Sequence, residues 1–241
     1  MKQEVAKILS NIEIAKDIWK MELQTGLAKM AKPGQFIEIE VPPFFLRRPI
    51  SINEIKGDSL VIIYKILGEG TLQMTKMHDT IDIFGPCGNG FPIEDRDVLL
   101  VGGGVGVPPL YETAKQYLKN GHQVDVVLGF NDQSQIFFEQ EFKELGCKVQ
   151  IATMDGSVGT KGTVLDAIHE QKISTSFVLA CGPLPMLKAL QKEYTEGYLS
   201  LEARMACGIG ACMGCVVKDT SDHALRVCKD GPVFPIQEVV L

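Results

Sequence analysis

The spacing of apolar residues changes character near residue 94, and that change limits what the chain can fold into. Before it, short runs alternate apolar and polar residues: QFIEIEV at Gln35–Val41, LVIIYKI at Leu60–Ile66 and TIDIF at Thr80–Phe84. A period of two sends every second side chain to one face, which marks a half-buried strand. Several such runs, punctuated by Pro42–Pro43, Lys56–Gly57–Asp58 and Gly85–Pro86, predict an antiparallel barrel or sandwich. After it, strands alternate with helices. Val98–Val101, Val124–Leu128, Lys148–Ala152 and Phe177–Ala180 read as strands; Pro109–Lys119, Phe138–Leu145, Thr163–Gln171 and Pro185–Tyr194 read as helices. That order predicts a parallel sheet covered on both faces. From about residue 197 the periodicity fades, and so small a segment buries too little apolar surface to fold without a staple. The expected class is multidomain α/β with a β-barrel. Residues 1–93 form an antiparallel barrel, 94–196 a parallel α/β nucleotide-binding domain, and 197–241 a small C-terminal domain.

The staple is legible in the cysteines. Four of seven fall in the last 35 residues, as Cys207-x4-Cys212-x2-Cys215-x12-Cys228. Met1–Lys2 leads into polar sequence, so no signal peptide is expected, and the apolar run Val98–Tyr111 is too short to span a bilayer. The expected location is the cytoplasm, where reducing conditions disfavour disulfides and clustered thiols hold metal or do redox work. A C-x4-C-x2-C loop with a distant fourth cysteine is the ligand order of a plant-type 2Fe-2S cluster, and Gly208, Gly210 and Gly214 let such a loop wrap tightly. Zinc is the competing reading, although it usually takes two short C-x2–4-C pairs. Cys87, Cys147 and Cys181 are scattered, and an idle buried thiol is the default for each.

Two glycine-containing stretches follow strands. VGGGVGVPPL, residues 101–110, runs from a strand into a helix opened by proline, so backbone can approach a ligand and the helix N-terminus can face a phosphate. Its spacing is not G-x-G-x-x-G, so only the general mechanism applies. LACGPLPM, residues 179–186, ends another parallel strand, and ligands of open α/β sheets bind at those carboxyl ends. In the barrel, LRRPISI at Leu46–Ile52 sets an arginine three residues before a serine, a pairing able to clamp phosphate. Gly68–Glu69–Gly70–Thr71 opens a helix-like segment and offers a second anion cradle. Each piece taken singly also fits a surface arginine or an ordinary helix cap. The net charge of −6 gives no reason to expect nucleic acid or an anionic membrane as partner.

The order RRPIS, GEGT, VGGGVGVPP, CGPLPM and then the cysteine loop resembles the electron-transfer subunits of dihydroorotate dehydrogenase B, within the ferredoxin–NADP reductase-like flavoproteins. The resemblance covers nearly the whole chain, and the cysteine spacing narrows it most. It implies an FAD-binding barrel, with Arg48, Pro49, Ile50 and Ser51 around the flavin and its phosphates. Ile63, Tyr64 and Lys65 would form a second contact strand, and Gly70 and Thr71 would meet the pyrophosphate. It further implies that NAD binds through Gly102, Gly103, Gly104 and Gly106 with Cys181 and Gly182, and that Cys207, Cys212, Cys215 and Cys228 ligate one 2Fe-2S cluster. The implied partner is an FMN-containing catalytic subunit that oxidises dihydroorotate for pyrimidine (UMP) synthesis, in a heterotetramer of two copies of each chain. Where the family often has GPLGNGF, this chain has GPCGNGF at Gly85–Phe91.

The loop Gly129–Ser134, GFNDQS, has no arginine for a 2′-phosphate, which favours NAD over NADP. Electron relay needs no acid–base pair, so no catalytic histidine is expected among His78, His122, His169 and His223. Apolar residues around the cysteine loop, such as Met205, Ile209 and Met213, are expected to face a partner rather than the core. Two alternatives are a subunit of a related NAD(P)H:ferredoxin oxidoreductase and a zinc-stapled nucleotide-binding module.

Overall fold

The computed structural model describes residues 1–241. Its first part is a closed six-stranded barrel in the order β1-β2-β5-β4-β3-β6, every neighbour antiparallel. The strands are β1 (Lys2–Ala15), β2 (Ile18–Gln24), β3 (Phe36–Ile39), β4 (Arg48–Lys56), β5 (Ser59–Lys65) and β6 (Thr80–Cys87). A short helix, α1 (Glu69–Met74), bridges β5 and β6. Closure removes the unpaired strand edges that an open sheet would expose. The interior holds Met21, Leu23, Ile37, Ile39, Ile52, Leu60, Ile62 and Ile83, the inward halves of the alternating runs.

The second part is a seven-stranded sheet in the order β10-β9-β8-β7-β11-β12-β15. It alternates β7 (Val98–Gly103), α2 (Pro108–Lys119), β8 (Val124–Phe130), α3 (Glu139–Leu145), β9 (Lys148–Thr153), β10 (Thr160–Lys161), α4 (Val164–Glu170), β11 (Phe177–Cys181), α5 (Leu184–Glu193) and β12 (Glu196–Ser200). All pairs are parallel except the last, where β15 (Val233–Pro235) runs antiparallel to β12. The sheet thus continues past residue 196 and takes one strand from the C-terminal segment. Glu196–Ser200 was not legible as a strand because it directly follows α5 with no turn residue to separate them. The faded periodicity after 197 hides a small three-stranded sheet, β14-β13-β16, of β13 (Val216–Asp219), β14 (Ala224–Arg226) and β16 (Val239–Val240). Strands of two to four residues carry too few side chains to show a period. No helix is long and apolar enough to cross a membrane.

The barrel and the α/β part pack through α2, which lies against β4. The buried carboxylate of Glu112 accepts from the backbone N–H of Ile55 at 3.0 Å, and Lys115 bridges Glu54 and Glu112 at 2.9 and 3.3 Å. These contacts tie the helix after the glycine loop to the strand that carries the Arg–Ser pair.

Candidate functional site

A cavity of about 760 Å³ opens where the three parts meet. Pockets of this size suit a cofactor. Its barrel wall consists of Arg48, Pro49, Ile50 and Ser51 on β4, Ile63, Tyr64 and Lys65 on β5, and Gly68, Gly70 and Thr71 at the start of α1. The α/β part contributes Val105 and Cys181, and the approach to the cysteine loop contributes Ser200–Met205 and Pro232. Three stretches distant in sequence converge because β4 and β5 are adjacent barrel strands and β7 and β11 are adjacent in the sheet.

The two arginines of LRRP have different surroundings. Arg47 is paired with Asp82 at 2.6 Å and Glu40 at 3.2 Å. Arg48 has no carboxylate partner; it donates to the carbonyls of Leu46 and Arg47, and its guanidinium lies 4.9 Å from the centre of the Phe44 ring. Its uncompensated charge faces the cavity and suits an anion. Gly70 makes room for it: a Cβ there would fall 2.3 Å from Arg48 Nε. Thr71 Oγ1 accepts from the N–H groups of Leu67 and Gly68, fixing the turn that opens α1. The Tyr64 hydroxyl is committed elsewhere, donating to Asn11 Oδ1 at 2.9 Å inside the barrel. Burial pushes it up to about 12. Tyr64 therefore lines the cavity without a free hydroxyl to serve it.

Among the glycine-loop residues, the structure brings Cys181 to the cavity wall but keeps Gly102, Gly103, Gly104, Gly106 and Gly182 out of it. They serve the fold around it instead. A Cβ on Gly106 would fall 2.2 Å from the Cys181 carbonyl oxygen, and one on Gly182 would fall 3.0 Å from Gly103 Cα. Only glycine lets the two strand ends meet this closely. Gly104 has φ of +51°, in the left-handed region, with open space where a Cβ would stand.

The four clustered cysteines pair off. The thiols of Cys207 and Cys212 interact with each other, as do those of Cys215 and Cys228, and Cys207 also acts on Cys228. These pairs follow the order in which this cysteine spacing would ligate two bridged irons. Cys207 Sγ accepts from the N–H groups of Ala211 at 3.3 Å and Cys212 at 3.4 Å, and Cys215 Sγ accepts from Cys228 N–H at 3.4 Å. Desolvation raises the Cys207 thiol, but the N–H groups of Ile209, Cys212 and Ala211 outweigh it and draw the group down to about 6. Burial, and then the neighbouring Cys215, push Cys228 up to about 12. Cys215 and Cys228 are buried while Cys212 is exposed, so the loop has an anchored end and an open end. The open end carries Ile209, 42% exposed, and Met213, 51% exposed. Met205 departs from expectation: it is half-buried against the core and lines the cavity.

Two further participants carry no sequence signal. Ser200 lines the cavity from the end of β12, and Leu201, Glu202, Ala203, Arg204, Met205 and Pro232 line it from irregular backbone without period or motif. Glu38, on β3, is buried at 3% exposure with Oε1 unpartnered, and it presses on the cysteine loop so closely that a Cβ on Gly208 would fall 2.4 Å from it. Desolvation raises its carboxyl to about 7; Arg47 opposes the shift, Cys207 adds to it and Arg48 opposes it. Raised above the ordinary 4.5, the group favours the folded state when protonated, so stability falls as pH climbs from 4.5 to 7 and levels above. Glu38→Gln is therefore expected to match the parent in melting temperature at pH 5 and exceed it at pH 8, by up to about 3 kcal/mol of stability. Calorimetry at the two pH values checks this; a constant difference overturns it.

Comparison with known proteins agrees with this arrangement. Residues 202–240 match the iron-sulfur cluster binding domain of dihydroorotate dehydrogenase B, and residues 100–192 match the oxidoreductase NAD-binding domain. The dihydroorotate dehydrogenase B (NAD(+)) electron transfer subunit of Fusobacterium nucleatum is 47% identical, covering 99% of each chain. Those of Geobacillus sp. and Shouchella clausii are 48% and 44% identical over the full length of this chain. A chain from the NADH-dependent reduced ferredoxin-NADP oxidoreductase structure superposes with a TM-score of 0.89 at 31% identity, covering 98% of this chain and 89% of its own. The ferredoxin reductase of carbazole 1,9a-dioxygenase, at 19% identity and a TM-score of 0.68 over 80% of this chain, shares the fold. By identity over its whole length, the chain belongs to the family of dihydroorotate dehydrogenase B electron transfer subunits, flavin- and 2Fe-2S-dependent oxidoreductases that use NAD.

Proposed function

We propose that the chain passes electrons from an FMN-containing, dihydroorotate-oxidising partner through a 2Fe-2S cluster and FAD to NAD⁺, in a complex with two copies of each subunit. One observation carries the reading: a single cavity is walled by the Arg–Ser strand of the barrel, by the glycine-loop end of the α/β sheet, and by the residues leading into the cysteine loop. Bound there, a flavin exchanges two electrons with nicotinamide and single electrons with an iron–sulfur cluster, chemistry that belongs to the cofactors.

The chain's own residues hold and orient. Arg48, lacking a carboxylate partner, supplies the positive charge for a pyrophosphate next to the start of α1, where Gly70 and Thr71 lie. Pro49–Ser51 and Ile63–Lys65 form the wall for the ring. Gly102, Gly103, Gly104 and Gly106, with Cys181 and Gly182, bring two strand ends close enough for NAD to lie across them. Cys207 and Cys212 would hold one iron of the cluster, and Cys215 and Cys228 the other. Ile209 and Met213, apolar and exposed beside the ligands, face the partner. Electron transfer asks no side chain to move a proton, and no histidine lines the cavity.

The test is an anaerobic visible spectrum with iron, zinc, sulfide and flavin analysis, followed by co-purification. The reading expects flavin to iron near one to two, with sulfide and without stoichiometric zinc, and a partner that carries FMN and oxidises dihydroorotate. A colourless zinc protein overturns it. The second reading, a subunit of an NAD(P)H:ferredoxin oxidoreductase, draws on the likeness to the reduced ferredoxin-NADP oxidoreductase chain. A colour-bearing complex that reduces ferredoxin and ignores dihydroorotate would select it.

A further inference from the structure

The stretch GPCGNGF at Gly85–Phe91 lines none of the cavity, yet it lies where the barrel ends and the cysteine segment returns. Gly88 has φ of +68°, and a Cβ on it would fall 2.5 Å from Pro232 Cδ and 2.7 Å from the Gly231 carbonyl oxygen. Gly90 is equally confined on the other side, with its Cβ position 2.2 Å from the Pro33 carbonyl oxygen. The backbone between them is therefore wedged between the barrel and residues 231–232.

Asn89 fastens that wedge. Its main-chain N–H donates to the Gly231 carbonyl at 2.7 Å. Its side-chain Nδ2 donates to the carbonyls of Asp230 at 3.1 Å and Val233 at 2.8 Å, and its Oδ1 accepts from Val233 N–H at 3.0 Å. The fastened segment reaches both cofactor sites. Pro232 lines the cavity, and Cys228 precedes Asp230 by two residues. Asp230 is held in turn by Arg226, through Nε at 2.8 Å and a second nitrogen at 3.0 Å, and Arg226 also donates to the Gly210 carbonyl inside the cysteine loop. An unbroken path of hydrogen bonds thus runs from the end of the flavin barrel through Asn89 to both arms of the cysteine loop. Asn89 itself is solvent-exposed, so core packing does not account for it.

We propose that Asn89 is a positioning residue that fixes the distance and orientation between the 2Fe-2S cluster and the flavin. The inference rests on the relay reading above and adds a residue that touches neither cofactor. A clamp at this point sets how efficiently an electron crosses between them, because small misplacements of reacting centres cost large factors in rate.

The experiment compares the parent with Asn89→Ala and Asn89→Asp as flavin- and iron-loaded protein. Asn89→Ala is expected to keep flavin and iron and to accept electrons from NADH into flavin at the parent rate. The following reduction of the cluster is expected to slow by roughly tenfold or more. The magnetic coupling between the reduced cluster and one-electron-reduced flavin, read by electron paramagnetic resonance after chemical reduction, is expected to weaken. Asn89→Asp keeps the acceptor for Val233 N–H but loses both donated bonds, so it should show the same two changes, and it is the variant read if the alanine protein loses iron. Parent-like rate and coupling in either iron-loaded variant overturn the proposal, even if melting temperature falls, because that result describes a structural bond only. A parent that never passes electrons from flavin to cluster defeats the relay reading instead, while the coupling still reports whether Asn89 sets the distance.

Discussion

Replacing Cys212 by Ala is expected to abolish the cluster while leaving the flavin in place. The choice of cysteine matters. Cys215 and Cys228 are buried in the apolar core, so truncating either leaves a cavity as well as a missing ligand. Cys212 is exposed and shares no wall with the flavin cavity, so its loss removes a thiolate and little else. One iron is then left with the single protein ligand Cys207, and even changes behind the ligands typically cost 10–100-fold in metal affinity. Iron and sulfide should fall to background, electron exchange with the partner should drop by at least about a hundredfold, and NADH should still bleach the flavin. Cys147→Ala is the control: its thiol is buried in the core of the α/β part, outside the cysteine loop. Metal analysis and anaerobic reduction by NADH check both variants. Retained iron in the Cys212 variant sinks the ligand assignment.

What made the cysteine loop readable was its independence from the rest of the fold. Ligand spacing is local, so C-x4-C-x2-C announces itself without knowledge of what surrounds it. The barrel and the sheet were legible for a related reason: QFIEIEV and FVLA each carry a full period of their own pattern. Elements that borrow their regularity from distant partners stayed hidden. β15 is three residues long and is a strand only because β12 offers its edge. Glu38 sits in an ordinary alternating run, and nothing in that run says that a cysteine loop 170 residues away will close over its carboxyl. The same limit applied to Arg47 and Arg48, adjacent and identical in type. Only the tertiary placement of Asp82 and Glu40 shows which of them keeps its charge for the cavity.

Gly106→Ala is expected to uncouple NADH from an otherwise intact electron carrier. The added Cβ would meet the Cys181 carbonyl oxygen at 2.2 Å, its carbon at 2.3 Å and Gly182 N at 2.5 Å. All three are backbone atoms at the end of β11, a central strand held by β7 on one side and β12 on the other, so neither loop can yield without separating two hydrogen-bonded strand ends. Overpacking of this kind costs about 1–3 kcal/mol of stability. The larger effect falls on nucleotide use, because the displaced ends are those proposed to hold NAD, and a displacement near 1 Å can cost about a hundredfold in rate. Gly104→Ala separates this from general damage: its position has a left-handed backbone but open space, so it adds strain at one residue and leaves the Cys181 contact alone. Anaerobic stopped-flow reduction should show the Gly106 variant about a hundredfold slower with NADH and the Gly104 variant much closer to the parent. Dithionite should reduce flavin and cluster normally in both. Parent-like reduction of the Gly106 variant by NADH would remove the glycine turn from the nucleotide site and leave Cys181 without a role in it.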